Sequence, residues 1–327
     1  MAVRRITVLG GSGFIGRHLV QRLAGEGWIV RVAVRDPQAA AFLKPLGEPG
    51  QIIARRVDIT DPQQLESVVT GSDAVVNLVG ILYERGRRTF ERLHVEAPQR
   101  LAKLCKTAGV KRFVHVSALG VSEAGAARYA RSKAVGERVI RDTFQEAVLF
   151  RPSVVFGPED DFFNRFATLA RISPILPVFT DDIPNGAGPR FQPVYVGDVA
   201  DALMQGINNS ACLGKTYELG GPKVYTLREI LALVLRETGR RRRLVPVPFW
   251  MARLEARFLQ YWPKPLLTPD QVTLLREDNV LSGTLPGFKA LGLDPTAPEA
   301  IVPTYLGRYR EGGFFVPRQV SSSPHLK

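Results

Sequence analysis

GGSGFIG, Gly10 to Gly16, decides the fold of this 327-residue chain. It follows the apolar run Ile6 to Leu9 and opens into FIGRHLVQRLAGEG, where Phe14, Ile15, Leu19 and Leu23 recur at helical spacing. A strand, a tight glycine turn and a helix therefore follow one another directly. Gly10, Gly13 and Gly16 have G-x-x-G-x-x-G spacing, a close variant of the dinucleotide-binding fingerprint. Glycine is needed there because a β-carbon would block the turn, keep the backbone off a pyrophosphate, or hold the helix off the strand. The helix N-terminus then presents open N–H groups and a positive dipole end to phosphates.

Working outward, Trp28 to Val34 reads as a second parallel strand ending at Arg35 and Asp36. An acidic residue there bonds the ribose hydroxyl of NAD, whereas an arginine accommodates the 2′-phosphate of NADP. Arg35, with Arg17 just after the glycine turn, favours NADP(H). Asp36 keeps NAD(H) open, since it is either a ribose ligand or an N-cap ahead of Pro37. A third strand, Ile52 to Val57, delivers Asp58 to where an adenine amino group is met, and Asp61 before Pro62 starts a helix. The fourth strand, Ala74 to Val79, ends in Asn77-Leu78-Val79-Gly80. A polar loop with Arg85, Arg87 and Arg88 and a helix from Glu91 to Ala108 follow, and a fifth strand, Phe113 to Val116, carries Ser117. A helix from Arg128 to Phe144 bears Tyr129 and Lys133 four residues apart, on one face, and a sixth strand, Val148 to Arg151, stops at Pro152. Short apolar strands alternating with amphipathic helices predict an α/β, doubly wound parallel sheet.

Beyond residue 155 the texture changes. The Pro- and Gly-rich stretch from Pro174 to Pro193 reads as a loop or lid. A helix from Asp198 to Asn208, a strand from Lys215 to Leu219 and a helix from Thr226 to Thr238 with a Thr226/Glu229 capping box follow. After Arg240 to Arg243, the stretch FWMARLEARFLQYW, Phe249 to Trp262, sets Trp250, Leu254, Phe258 and Tyr261 on one helical face and Arg253, Arg257 and Gln260 on another. Such a helix suits a membrane interface or a partner's groove, and equally an ordinary helix packed on its own domain. The expected organisation is a dinucleotide-binding core over 1–155, a smaller α/β substrate or docking subdomain over 156–313 whose segment 198–220 returns to the core, and a solvated tail over 314–327.

The chain is 45% hydrophobic and 23% charged, enough for a sizeable core. Cys105 and Cys212 lie far apart without a C-x-x-C, which supports neither a disulfide framework nor a metal site. MAVRR runs directly into the first strand, and no apolar run approaches the roughly 20 residues that span a bilayer, so a cytoplasmic or peripheral protein is expected. The formal charge of +13 calls for an anionic partner, a membrane face or an acidic subunit. The absence of a nucleic-acid motif or aromatic-interleaved basic platform ranks nucleic acid last.

Ser117, Tyr129 and Lys133 form a constellation with a mechanism. A lysine ammonium one turn from a tyrosine is expected to lower the phenol pKa. The phenol then serves as general acid/base on a hydroxyl or carbonyl that Ser117 orients, with hydride exchanged with a nicotinamide. With these residues in hand, the chain resembles the short-chain dehydrogenase/reductase superfamily in its extended or atypical branch. GGSGFIG, DITD, NLVG, VHVSA, YARSK, FRPSVVFGP and PVYVGDVADAL fall in that family's order. The resemblance implies Asp58 and Ile59 at the adenine, Asn77, Val79 and Gly80 along the ribose, Pro152 and Ser153 beside the nicotinamide, and Ser117, Tyr129 and Lys133 in the catalytic places. Two departures stand out: His94 lies near where family members have Asn-Val, and the Ser-to-Tyr spacing is shorter than in most sugar epimerases.

YARSKAVGERVIRDTFQEAVLFRPSVVFGPEDDFFNRFA, QPVYVGDVADAL and the FW…ARF…W segment before LTPDQV are similar to the Rossmann-fold accessory subunit family of respiratory complex I, in a bacterial version. That resemblance implies NADPH held without turnover, with complex I subunits and the anionic inner membrane surface, on its cytoplasmic side, as partners. The superfamily resemblance alone implies instead an active NAD(P)-dependent reductase or epimerase for a lipid-like or quinone-related substrate.

Overall fold

A computed structural model describes residues 4–183, 186–260 and 267–313. The first half builds β1 (Arg5–Leu9), α1 (Phe14–Gly25), β2 (Ile29–Val34), β3 (Ile52–Arg56), α2 (Pro62–Val69), β4 (Ala74–Asn77), α3 (Ala97–Thr107), β5 (Arg112–Val116), α4 (Arg128–Thr143) and β6 (Val148–Pro152). After these come β7 (Val155–Phe156), α5 (Phe163–Ile172), β8 (Ile175–Phe179), β9 (Arg190–Phe191), β10 (Val194–Tyr195), α6 (Val196–Asn208) and β11 (Thr216–Leu219). The chain continues through β12 (Tyr225–Thr226), α7 (Leu227–Thr238), β13 (Arg243–Val247), α8 (Phe249–Leu259), α9 (Pro269–Leu274) and α10 (Pro298–Leu306).

Seven strands form one sheet in the order β11-β6-β5-β4-β1-β2-β3, and every neighbouring pair is parallel. The strand order reverses between β1 and β4, and the register Leu9↔Asn77 opens a crevice there beyond their carboxyl ends. On one face, Leu19, Val20 and Leu23 of α1 pack with Val199, Ala202 and Leu203 of α6 over the inward residues of the sheet. On the other face, Leu65 of α2, Leu101 of α3 and Ile140 of α4 bury Leu9, Val75 and Phe113. Local chemistry sets the helix ends. Asp61 accepts from Gln63 N–H and Gln64 N–H ahead of Pro62. Thr226 and Glu229 close a capping box at the start of α7, and Gly239, in the left-handed region, ends that helix.

Two expectations are corrected, and a third falls partly outside the described residues. The stretch from Pro174 to Pro193 is not loop throughout, because Ile175–Phe179 is a strand paired in parallel with Arg243–Val247. The pair is two-stranded, so both members are edges and tolerate Pro177 and Pro246. The helix expected from Glu91 is interrupted by a π-turn over Glu91–Glu96 before α3. Pro98 has no N–H to give the His94 carbonyl four residues earlier, and that carbonyl instead lies against Gly136 of α4, where any β-carbon would collide with it. Helix α8 ends at Leu259; Tyr261, Trp262 and the tail 314–327 lie outside the described residues. Phe249, Ala252 and Ala256 pack α8 onto Val272, while Trp250, Leu254 and Phe258 face outward, 65%, 53% and 74% exposed.

Candidate dinucleotide site

The glycine turn lies at the crevice. Gly10 has φ +78°, which favours glycine, and its carbonyl accepts from Gly13 N–H at 2.9 Å. A β-carbon on Gly16 would collide with the Gly10 carbonyl oxygen and stand 2.6 Å from the Gly11 carbonyl carbon. No side chain caps α1, and no acidic residue stands in its first turn, so the N–H groups of Phe14, Ile15 and Gly16 are left open at the helix start. Such a cradle fits a pyrophosphate.

Across the crevice, Asn77 is fully buried and its side chain turns inward: Oδ1 accepts from Val79 N–H at 3.1 Å and Nδ2 donates to His115 Nδ1 at 3.1 Å. Asn77 therefore shapes the turn, leaving the Val79–Gly80 backbone to line the crevice. A β-carbon on Gly80 would stand 3.2 Å from Lys133 Nζ, so the lysine reaches this edge. At the far end, Arg35 is exposed. Asp36 Oδ1 accepts from Gln38 N–H and Ala39 N–H, the cap of the two roles open to it. Asp58 Oδ1 accepts from both Thr60 N–H and Thr60 Oγ1–H, and these bonds, then Arg92 and Arg35, hold its carboxyl below the usual range. Ile59 is buried beside it.

The Ser-Tyr-Lys set comes together on β5 and α4, with one physical difference from expectation. Lys133 is buried and donates from Nζ to the Val116 carbonyl at 3.1 Å; burial lowers its pKa to about 8, against an opposing contribution from Glu137. The Tyr129 phenol is not made more acidic: burial pushes it up to about 12. Burial is the cause acting on the phenol, while the hydrogen bond that Lys133 makes goes to the Val116 carbonyl. The Tyr129 ring is boxed edge-on by His94 at 5.5 Å and Phe90 at 6.0 Å. Ser117 is 5% exposed, and its Oγ is buried without a hydrogen-bond partner among the described residues. An unsatisfied hydroxyl at a sheet edge fits a ligand oxygen. Pro152 ends β6, and the Ser153 hydroxyl is committed to Asn279 Oδ1 at 2.6 Å.

Two more groups complete the site, of which His94 was marked in the sequence and Asp270 was not. His94 accepts at Nε2 from Ile81 N–H at 3.1 Å, and its Nδ1–H faces Ser132 Oγ at 2.9 Å. Burial, then Lys133, hold its pKa down to about 3, so the ring is neutral. From the other half of the chain, Asp270 accepts from the Arg128 and Tyr129 N–H groups at 2.7 and 3.0 Å, capping α4 across more than 140 residues. Its position at the start of α9, just inside the Thr268/Gln271 capping box, is legible; its target is not.

Fold and crevice define the class: the chain belongs to the NAD dependent epimerase/dehydratase family, whose model matches residues 6–220. Within it, the chain is 33% identical to the mitochondrial NADH-ubiquinone oxidoreductase 40 kDa subunit of Neurospora crassa, over 94% of this chain and 80% of that one. It is 34% identical to the mitochondrial NADH dehydrogenase (ubiquinone) 1 alpha subcomplex subunit 9 of Rattus norvegicus, over 93% and 80%. Ceramide reductase of Caulobacter vibrioides is 29% identical over 74% of this chain and 73% of its own length. Among solved structures, the fold is that of Thermus thermophilus UDP-glucose 4-epimerase in complex with NAD, with a TM-score of 0.70 at 22% identity over 93% and 98% of the two chains.

Proposed function

We propose that this protein is an NADP(H)-holding accessory subunit of a respiratory NADH:ubiquinone oxidoreductase, in which the dinucleotide stabilises a docking domain without being turned over. The observation that carries the reading is extent: identity to the respiratory-complex subunits spans 94% of the chain, well past residue 220 where the family model ends. Gly10, Gly13, Phe14, Ile15 and Gly16 would hold the pyrophosphate, Arg35 the 2′-phosphate, Asp58 and Ile59 the adenosine, and the Val79–Gly80 turn shaped by Asn77, with Lys133, the ribose side. Pro152 and the Ser153 backbone would flank the nicotinamide, which when bound supplies hydride chemistry. A phenol pushed up to about 12 lacks the lowered acidity of an activated general acid/base, which supports holding over turnover.

The outward Trp250, Leu254 and Phe258, the basic C-terminal half and the charge of +13 support an acidic subunit or anionic membrane face as partner. The same reading places the protein peripherally on the cytoplasmic side of the inner membrane; among the described residues no helix is long and apolar enough to cross a membrane. Gentle extraction of the source membranes should yield the protein with NADH dehydrogenase subunits and about one NADPH per chain that added carbonyls do not oxidise. Recovery solely as a free protein without the complex would refute the reading. The unpartnered Ser117 hydroxyl and the ceramide reductase relative favour a second one, a reductase of lipid-like ketones. It requires NADPH oxidation that Tyr129→Phe abolishes with nucleotide binding retained.

A further inference from the structure

We infer that residues 268–282 form a strap that closes the substrate side of the crevice, pinned by Asp270 at Tyr129 and by Asn279 at Ser153, so that a nicotinamide held beneath it is walled off from soluble oxidants. The inference deepens the dinucleotide reading above and rests on it.

The strap begins at the Thr268/Gln271 capping box of α9. Asp270 spends both carboxylate oxygens on α4, accepting from the Arg128 and Tyr129 N–H groups. At the second pin, Asn279 Oδ1 accepts from Ser153 Oγ–H at 2.6 Å and from Val154 N–H at 3.1 Å. The backbone of Asn279 is fixed as well: its N–H donates to the Arg190 carbonyl at 2.8 Å, and its carbonyl accepts from Gln192 N–H at 3.0 Å. The chain then crosses the carboxyl ends of β6 and β11. Gln192 Oε1 accepts from Leu281 N–H at 3.1 Å, and Glu218 Oε2 accepts from Ser282 N–H and Ser282 Oγ–H at 2.8 Å each.

Burial sorts the strap into two faces. Val272 is buried and Leu275 packs against both α8 and the core of the C-terminal half, whereas Arg276, Glu277 and Asp278 are exposed. Two of these outer charges are tied down, Arg276 to Asp181 at 3.0 Å and Asp278 to the Arg190 N–H at 2.7 Å and Nε–H at 2.8 Å.

The Ser-Tyr-Lys set lies between the pins. Ser117 N–H donates to the Phe150 carbonyl at 2.7 Å and Leu119 N–H to the Pro152 carbonyl at 2.9 Å, which joins this turn to the strand end just before Ser153. From its other side Lys133, one turn past Tyr129, donates to the Val116 carbonyl. A carbonyl substrate approaching Ser117 between the pins would meet the Tyr129 N–H, the Ser153 hydroxyl and the Val154 N–H, and all three are spent on the strap. The Ser117 hydroxyl stays buried with no partner among the described residues. A wall of this kind keeps water and small reactants away from a reduced nicotinamide.

The test uses the full chain loaded with NADPH, with protein in excess so that little nucleotide is free. Phenazine methosulfate, which takes hydride from NADPH without an enzyme, reports access to the nicotinamide, and acrylamide quenching of the nicotinamide fluorescence reports it independently. In wild type, bound NADPH should react at least about tenfold more slowly than free NADPH. In Asp270→Ala/Asn279→Ala the rate should come within about threefold of that of free nucleotide, with quenching rising in parallel. Asn279→Ser, which keeps both backbone bonds of residue 279, should release part of the protection, and it carries the test if the double variant does not bind NADPH. Wild-type NADPH oxidised as fast as free nucleotide overturns the strap and leaves the dinucleotide reading standing, as does a variant that binds NADPH and protects it as well as wild type. Wild type that binds no NADPH overturns both.

Discussion

Replacing His94 by Asn should flatten the acid limb of the stability curve. His94 is 1% exposed, and burial followed by the Lys133 charge takes its pKa from 6.5 to about 3. Between those values the unfolded chain binds a proton that the folded chain refuses. Stability therefore rises with pH through this window and is lost as pH falls from 6.5 towards 3. A group titrating near 6.5 when unfolded and silent when folded removes about 2 kcal/mol of stability between pH 7 and pH 5. Asn also loses ring hydrogen bonds to Ile81 N–H and Ser132, a cost of about 1–3 kcal/mol that is the same at both pH values and cancels from the difference. His115, fully buried, is held well below its ordinary value by burial first and Lys133 second, with His94 the last contributor, so its acid limb is largely common to both proteins. Urea unfolding at pH 7 and pH 5 reads the effect directly. The deficit of the variant should shrink by about 2 kcal/mol on going to pH 5. An unchanged deficit would mean that folded His94 takes up its proton, and that Nε2 is not the acceptor of Ile81 N–H.

Two further perturbations address the supports of the site. Gly16→Ala places a β-carbon against the Gly10 carbonyl and Gly11 backbone, atoms that cannot rotate away. It should abolish nucleotide binding and cost about 1–3 kcal/mol, read by fluorescence titration and thermal melts; retained affinity would show that the turn is not the phosphate cradle. Asp270→Ala removes the acceptor of the Arg128 and Tyr129 N–H groups and should cost about 1–2 kcal/mol, with Asp270→Asn recovering part. Amide exchange at Arg128 and Tyr129 should accelerate in the Ala variant, and unaltered exchange would remove Asp270 from the cap.

The nucleotide half of the molecule is legible in sequence because each of its signals is local. Strands β1 to β6 are short apolar runs ending at a turn, and Asp61-Pro62 and Thr226-Glu229 carry their helix starts within four residues. What escapes the sequence depends on partners far along the chain. ILPVF, Ile175 to Phe179, looks like a proline-rich loop until RLVPV, Arg243 to Val247, lies alongside it, a pairing across 68 positions. The commitments of Ser153 to Asn279 and of Asp270 to α4 span still longer separations. The π-turn was readable in principle, since Pro98 withholds the N–H owed to the His94 carbonyl. The acidity of Tyr129 was not, because a pairwise rule about a neighbouring lysine cannot say how dry the phenol will be.

The protonation pattern that results narrows what the site can do. Burial holds the Tyr129 phenol up at about 12, so near neutrality Tyr129 has a proton to give and not a site to take one. Lys133, at about 8, remains mostly protonated, but it donates to the Val116 carbonyl, and the nearby His94 and His115 are both held neutral. If turnover occurs, the residues as arranged favour proton donation to a carbonyl over abstraction from an alcohol. A cofactor that is only held faces no such requirement, and its contribution is thermodynamic: at about one hundred times its dissociation constant it adds about 2.7 kcal/mol to the folded state. That increment falls on the crevice where β1 and β4 part, and the same crevice is tied through Glu84–Arg128 and through Asp270 to α4 and the C-terminal segment. Helix α4 is the element on which α9 is seated, and α9 is what α8, with its outward Trp250, Leu254 and Phe258, packs against.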